Sequence, residues 1–136
     1  MSSILTIAAS GLAAASQRLW VSANNVANAE SDGPLPSASA AIQAQYPAAY
    51  TAQQVNQVAT PGGGTSAIVS SLRPGTVTAY DPAAPYADQN GQVAAPNVDL
   101  AAEAVQQAIA SYTFVANADV MRVSQQMMQT LLNIET

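Results

Sequence analysis

The 136-residue sequence contains no cysteine and no histidine, and only three of its residues are basic. The first two absences exclude disulfides, a cysteine nucleophile, imidazole acid–base chemistry and the commonest zinc ligands. The three arginines, Arg18, Arg73 and Arg122, lie far apart in a chain whose net charge is −5. Nucleic acids and anionic membrane surfaces are bound by clustered lysine and arginine, so we expect neither of them as a partner.

Long apolar runs are also missing. No stretch of 18 consecutive apolar residues occurs, and the first five residues carry no basic side chain. A membrane-spanning helix needs such a stretch, and a Sec-type signal begins with basic residues. The sequence therefore predicts neither direct membrane insertion nor a secretory signal.

The eight carboxylates do not form a convincing catalytic pair. Asp81 and Asp88 lie in a proline-rich stretch that would hold them poorly, whereas Asp99 and Glu103 suit the first turn of a helix. The serines have no histidine to activate them, and the glycines at 62–64 lack the Lys-Ser or Lys-Thr of a phosphate loop. We predict that the protein is not an enzyme and binds no cofactor or metal.

Proline and glycine divide the chain into three parts. All eight prolines lie between Pro34 and Pro96, and six of the seven glycines lie between Gly33 and Gly91. Proline is poorly tolerated inside helices. The predicted fold is therefore mainly α, with an N-terminal helix in residues 1–30, an irregular middle at 31–96 and a C-terminal helix in residues 97–136. We expect the two helices to pack as an antiparallel, coiled-coil-like pair.

The N-terminal helix carries one apolar stripe. Steps of three and four residues place its members on one face of a helix. They are Leu5, Ala8, Leu12, Ala15, Leu19, Ser22 and Val26. On the pattern alone, this is equally an amphipathic helix of an ordinary bundle.

The C-terminal helix carries two apolar stripes, after a natural N-cap at Asp99. The first stripe has an 11-residue period, which favours straight or slightly right-handed packing, and comprises Val105, Ile109, Tyr112, Ala116, Val120, Val123, Met127, Leu131 and Ile134. The second recurs every seven residues and comprises Phe114, Met121 and Met128. One partner helix cannot cover both stripes. Our hypothesis is that the first packs on the chain's own N-terminal helix and the second on a neighbouring subunit, although the middle segment is an alternative cover.

The middle segment contains one turn signal, Pro61 followed by three glycines. The flanking stretches 50–60 and 65–80 alternate imperfectly, which predicts a β-hairpin. An extended linker without strands is the alternative.

Two stretches resemble a known family. The first resembles the N-terminal motif shared by flagellar rod and hook proteins, and it comprises Ser10, Gly11, Leu12, Arg18, Ala23, Asn24, Asn25, Val26, Ala27 and Asn28. The second is similar to the C-terminal motif of the proximal rod proteins of that family. It comprises Tyr80, Asp81, Pro82, Asp88, Asn90, Gly91, Pro96, Asn97, Val98, Asp99, Glu103 and Asn117. The sequence departs from the family after Asn28, where Ala29-Glu30 replaces the usual Thr-x-Gly-Tyr continuation.

The resemblance implies a structural subunit of the flagellar basal body. It implies export through the flagellar type III apparatus and polymerisation into the rod, the drive shaft and export channel that spans the periplasm. Expected partners are further copies of the chain and other rod proteins. The alternatives are another rod or hook paralogue and, in a different class, a soluble helical binding module.

Overall fold

The structure is a computed structural model that describes the backbone of residues 2–134 and the side chains of residues 4–134. A long N-terminal helix, α1 (Ser2–Ala27), and a long C-terminal helix, α3 (Leu100–Ile134), flank a middle segment in the sequence. The middle holds a short helix, α2 (Ala40–Gln45), and four strands. The strands are β1 (Gln53–Ala59), β2 (Thr65–Ser71), β3 (Thr76–Tyr80) and β4 (Gln92–Pro96). The prediction of two long helices around a middle that contains a β-hairpin is confirmed.

The two long helices pack against each other in antiparallel orientation. Near the end of α1, Arg18 Nη1 donates to Gln106 Oε1 at 2.8 Å, close to the start of α3. Near the start of α1, Gly11 lies against the side chain of Asn117, further along α3. Helix α3 begins where expected, because the Asp99 carboxylate accepts hydrogen bonds from the first free N–H groups of the helix, those of residues 101 and 102.

Small side chains form the face that each helix buries against the other. Ala8 and Ala15 on α1 and Ala110 on α3 are 1–2% exposed, and Ser124 is 6% exposed. Residues of this size let two helix backbones approach closely. The helix pair is therefore held by close backbone approach and polar contacts, with few large side chains between the helices.

The hypothesis that the first stripe of α3 packs on α1 was wrong. Val105, Ile109, Tyr112, Val120, Val123, Met127 and Leu131 are all exposed, by 42% to 79%. Two members of the second stripe, Met121 and Met128, are half-buried on the same face as Ala110, while Phe114 is 45% exposed. The small residues around Ala110 give the closest contact with α1, so the larger aliphatic stripe is left outside.

The predicted hairpin is formed by β1 and β2, which pair antiparallel from Gln53↔Ser71 to Ala59↔Thr65. Both strands pack on α1, so α1 lies between the hairpin and α3. A second hairpin was not predicted: β3 and β4 pair antiparallel, and Gly33 bridges to Ala94 beside them. The middle is thus more regular than its proline content suggested.

Helix α1 is long and apolar enough, from Ile4 to Ala27, to cross a membrane by length and composition alone. A helix that packs inside a protein meets the same criterion. Here α1 has packing partners on two sides, α3 and the first hairpin.

Candidate assembly interface

A buried asparagine joins three elements of the fold. Asn25, which is 1% exposed, donates from Nδ2 to the main-chain oxygen of Gln53 at 2.8 Å and to Glu103 Oε1 at 2.6 Å. Its Oδ1 accepts from the hydroxyl of Tyr50 and from the N–H of Gln53, both at 3.0 Å. All four hydrogen-bonding positions of the amide are used. Asn25 therefore ties the end of α1 to β1 and to the start of α3.

Two further polar contacts extend this cluster along the helix pair. Ser22, also 1% exposed, donates from its hydroxyl to the main-chain oxygen of Glu103 at 3.1 Å, and Arg18 contacts Gln106 one turn further on. Burial and the nearby Glu103 carboxylate both raise the pKa of the Tyr50 hydroxyl. The hydroxyl therefore stays protonated and remains a donor to Asn25.

The two motifs that carry the family resemblance meet in space. Asn25 of the first motif contacts Glu103 of the second, and Gly11 of the first lies against Asn117 of the second. A methyl group at Gly11 would overlap the Asn117 amide, which is fixed by its hydrogen bond to the main-chain oxygen of Thr113 at 2.8 Å. The motif residues at the two ends of the chain therefore form one contact surface between α1 and α3.

Other motif residues shape the elements next to this surface. Asn28 Nδ2 donates to Asn24 O at 2.9 Å and stabilises the last turn of α1. Asn97, in the segment Pro96 to Asp99, donates from its side chain to Pro74 O at 2.8 Å and from its N–H to Gly75 O at 3.0 Å. These bonds fix the path of the chain from β4 into α3.

Asn25 was predicted only as a member of the first family motif and not as a contact residue. The predicted stripe of α1 is buried only at its small members. Ala8, Ala15 and Ser22 are 1–2% exposed, whereas Leu19 and Val26 are 45% and 40% exposed and Leu5 and Leu12 are half-buried. Asn25 lies nearly in line with Val21 and Ala14, four and eleven residues earlier, and all three are buried, so this spacing could have indicated a second seam that contains a polar residue. Hydropathy alone does not reveal a buried row of residues that includes polar side chains.

Exposed apolar surface is concentrated on the two long helices. Within the described part of the chain, 21 large hydrophobic side chains are exposed, of which five lie on α1, twelve on α3 and four on strands. On one side of the pair, Leu19, Trp20, Phe114 and Val115 line a groove of about 460 Å³, here called the tryptophan groove. On the other side lies the valine flank of α3, consisting of Val105, Ile109, Val120, Val123 and Met127. Monomeric proteins rarely expose this much contiguous apolar surface without a partner.

Ligating side chains are scattered. Within residues 2–134, no group of three carboxylates or other ligating side chains lies close enough to hold a metal ion. Asp88 is typical, because it accepts from the N–H groups of Asn90 and Gln92, both at 2.8 Å, and serves to shape its own loop.

Comparison with known proteins agrees with this arrangement. The family model described as "Flagella basal body rod protein" matches residues 5–34, which include the first motif. The flagellar basal-body rod protein FlgC of Salmonella typhimurium is 37% identical over 132 residues, spanning 96% of this chain and 95% of the relative. FlgC of Escherichia coli O6:H1 is 37% identical over 137 residues, and FlgC of Yersinia enterocolitica is 36% identical over 132, each with the same coverage.

An identity of this size over nearly the full length of both chains extends well beyond the short motifs. The aligned region covers 96% of this chain, so it extends over the helix pair and the hairpins between the two helices. The chain therefore belongs to the FlgC family of flagellar basal-body rod proteins.

Proposed function

We propose that this structural subunit of the flagellar basal-body rod polymerises through its terminal helices. In this proposal the segments 1–30 and 97–136 are the axial helices, packed in a coiled-coil-like manner, and 31–96 is the intervening region. The polymer is the torque-transmitting drive shaft that spans the periplasm, and it encloses the export channel. The role is purely structural and involves no catalysis.

One observation carries this proposal: the longest apolar stripe of α3 lies beside the face that contacts α1 and is largely exposed. Val105, Val120 and Met127 are 47% to 58% exposed, although they form the most regular hydrophobic stripe in the chain. Leaving such a stripe in water is unfavourable, because apolar burial contributes about 25 cal/mol per Å². A neighbouring subunit would cover it.

The proposed partners are further copies of this chain and other rod proteins, delivered through the flagellar type III export apparatus. The absence of cysteine suits export of an unfolded chain, because no disulfide can form before assembly. The buried core supports the same view. Among residues 4–134 its apolar members are small or medium in size, namely Ala8, Ala14, Ala15, Val21, Ala52, Val93, Ala94 and Ala110. Such a core gives modest stability alone, so subunit contacts would contribute much of the final stability.

A complementation experiment tests this proposal. The gene is deleted in the source strain and replaced by a Val120→Ser/Val123→Ser variant, and swimming, export of the variant and recovered basal bodies are measured. We expect export without intact rods, because about half of each of these side chains is exposed in the isolated chain and would be covered by a neighbour. The matched control is Val58→Ser/Ile68→Ser, which removes two hydrophobic side chains of similar exposure, 50% and 53%, from the first hairpin.

We expect the hairpin control to swim. Normal swimming and intact rods with the α3 variant would contradict polymerisation through this face. Loss of the protein before export would instead indicate an unstable variant, which urea unfolding of the purified Val120→Ser/Val123→Ser chain would detect.

A further inference from the structure

The loop between β3 and β4 contains the one Asn-Gly pair of the sequence, Asn90-Gly91. An asparagine followed by glycine is chemically labile, because the glycine has no side chain to hinder attack of its main-chain nitrogen on the asparagine carboxamide. That attack begins deamidation, which converts the asparagine to an acid. Asn90 is exposed to solvent, so its carboxamide is not shielded by burial.

The fold requires the glycine of this pair. Gly91 has a φ angle of +73°, and a Cβ added there would come within 2.9 Å of Tyr80 Cε2 and 3.0 Å of Pro82 Cβ. Both the conformation and the lack of space disfavour any other residue. The loop therefore keeps the reactive pair for as long as residue 90 is asparagine.

Asp88 holds both members of the pair in an unreactive arrangement. Its main-chain oxygen accepts from the Gly91 N–H at 3.0 Å, and its carboxylate accepts from the Asn90 N–H at 2.8 Å and from Asn90 Nδ2 at 3.4 Å. Gly91 is also buried, so water and hydroxide have little access to the proton that its nitrogen must lose. The charge of Asp88 further disfavours the anionic form of that nitrogen.

We propose that Asn90 is a site of spontaneous deamidation that folding closes, with Asp88 as the residue that protects it. In the unfolded chain the Gly91 nitrogen gives its proton to hydroxide and attacks Asn90 Cγ. A bond between this nitrogen and Cγ forms, the Cγ–Nδ2 bond breaks, and ammonia leaves a cyclic imide. Water then opens the ring at either carbonyl and gives an aspartyl or an isoaspartyl residue, so the reaction needs no cofactor.

The product fits the folded loop poorly. A carboxylate at position 90 would face the Asp88 carboxylate, where Asn90 Nδ2 now lies 3.4 Å from Asp88 Oδ2, and like charges at such a distance repel. The isoaspartyl form also adds a carbon to the main chain just before β4, which contains the fully buried Val93. Because turn geometry sets the register of a hairpin, we expect modified chains to be less stable.

The chemistry does not depend on the proposed function. If the chain is exported unfolded, as proposed above, the time that it spends unfolded sets how many copies lose Asn90.

Incubation of the purified full-length chain at mildly alkaline pH, in buffer and in concentrated urea, tests the proposal. Mass spectrometry with peptide fragmentation locates the small mass gain that accompanies loss of ammonia and uptake of water. We expect this gain at Asn90 in urea, and a rate slower by roughly tenfold or more in buffer, where attack requires local opening of the turn. Asn97 is the internal control, because the branched side chain of Val98 hinders the same attack.

Substitutions of Asp88 test its protective role, after circular dichroism has shown that each variant is folded in buffer. Asp88→Ala should speed the reaction in buffer and leave the rate in urea unchanged. Asp88→Asn, the milder second variant, retains an acceptor oxygen and should give an intermediate rate in buffer. Met121→Ser on α3 controls for general loss of stability and should react more slowly than Asp88→Ala.

Three results would each overturn the proposal. They are a rate at Asn90 that is the same in buffer and in urea, no mass gain at Asn90 in urea, and equal acceleration by Met121→Ser and Asp88→Ala. None of them bears on whether the chain polymerises, so the proposed function would be unaffected.

Discussion

At the scale of single residues, the polar side chains do most to define how the elements are joined. Asn25 makes four hydrogen bonds to three residues, Tyr50, Gln53 and Glu103. The apolar contacts between α1 and α3 come largely from alanines, which bury little area each. Buried polar groups are costly when unpaired and specific when paired. The cluster around Asn25 therefore sets the register of the helix pair and the position of the first hairpin.

Replacing Asn25 by alanine should destabilise the purified chain by about 2–4 kcal/mol, because it leaves several buried groups unpaired at about 1–3 kcal/mol each. The measurement is the free energy of unfolding from urea denaturation. Asn24→Ala is the matched control on the neighbouring, half-exposed position, whose side chain accepts only from Asn28 at 3.2 Å. Equal losses of unfolding free energy for the two substitutions would show that the buried hydrogen bonds of Asn25 contribute no more to stability than the half-exposed Asn24 side chain.

Two aspartates in the middle should affect stability in opposite directions. Burial first, and then the carboxylates of Asp81 and Glu30, raise the pKa of Asp32 above its ordinary 3.8. The folded state therefore disfavours the ionised form, and the resulting penalty grows as the pH rises above 3.8. Hydrogen bonds, first that from the Gln92 N–H, lower the pKa of Asp88, so its stabilising contribution is present above pH 3.8 and is lost as the pH falls.

Asp32→Asn should accordingly raise the melting temperature at pH 7, and Asp88→Asn should lower it. Both differences from the natural chain should shrink as the pH approaches 3. Thermal unfolding followed by circular dichroism between pH 3 and 7 measures this. An Asp32→Asn gain of the same size at pH 3 would mean that the gain does not arise from ionisation.

At the scale of elements, the first hairpin is fastened to α1 at its tip as well as along its strands. The Ser10 hydroxyl donates to Ile7 O at 2.6 Å and accepts from the N–H of Thr65 at 3.1 Å. The loop between β1 and β2 lies directly over this hydroxyl, because an added Cβ at Gly64 would come within about 2.5 Å of Ser10 Oγ. The loop is therefore a contact between hairpin and helix in addition to a turn.

A pair of glycine substitutions tests whether the loop between β1 and β2 acts only as a turn or also contacts α1. Gly62 and Gly64 have nearly equal positive φ angles, +92° and +93°, so alanine is strained at both. Only Gly64 also meets Ser10, while Gly62 has open space around it. We expect Gly64→Ala to lower the free energy of unfolding by about 1 kcal/mol more than Gly62→Ala, by analogy with an overpacked site. Equal losses would show that the loop tip acts only as a turn.

At the scale of the whole molecule, the chain buries its small residues internally and presents its large ones outward. This arrangement reverses the expected roles of the two α3 stripes. Replacing Phe114, Met121 and Met128 together should therefore destabilise the monomer, because the two methionines face the same way as the buried Ala110 and Ser124.

Two methionines of α3 provide a matched measurement. Met121 is half-buried on the face toward α1, and Met127 is 58% exposed on the valine flank. Met121→Ser should lower the free energy of unfolding of the purified chain by about 1–2 kcal/mol, part of the value of a fully buried side chain. Met127→Ser should stay within about 0.5 kcal/mol. A larger loss at Met127 would mean that the valine flank already has a cover within the chain.

The sequence by itself determined the outline of the chain. Proline and glycine are confined to the middle because neither is compatible with a long helix, so the extents of α1 and α3 could be predicted closely. Asp99 marked the start of α3 for a local reason, the need to cap free N–H groups. The turn at Pro61 likewise marked the first hairpin, and the two motifs indicated the family.

Only the tertiary structure decided which faces are buried and which elements pair across a distance. Periodicity shows that a helix has an apolar face, but it does not distinguish a partner in the same chain from a neighbouring subunit. That choice depended on how closely small residues such as Ala15 and Ala110 allow the helices to approach, and on whether Asn25 could satisfy all its hydrogen bonds. The pairing of β3 with β4 was hidden for a similar reason, since the segment 81–91 separates the two short strands and Gly33 bridges to Ala94 from the far end of the middle.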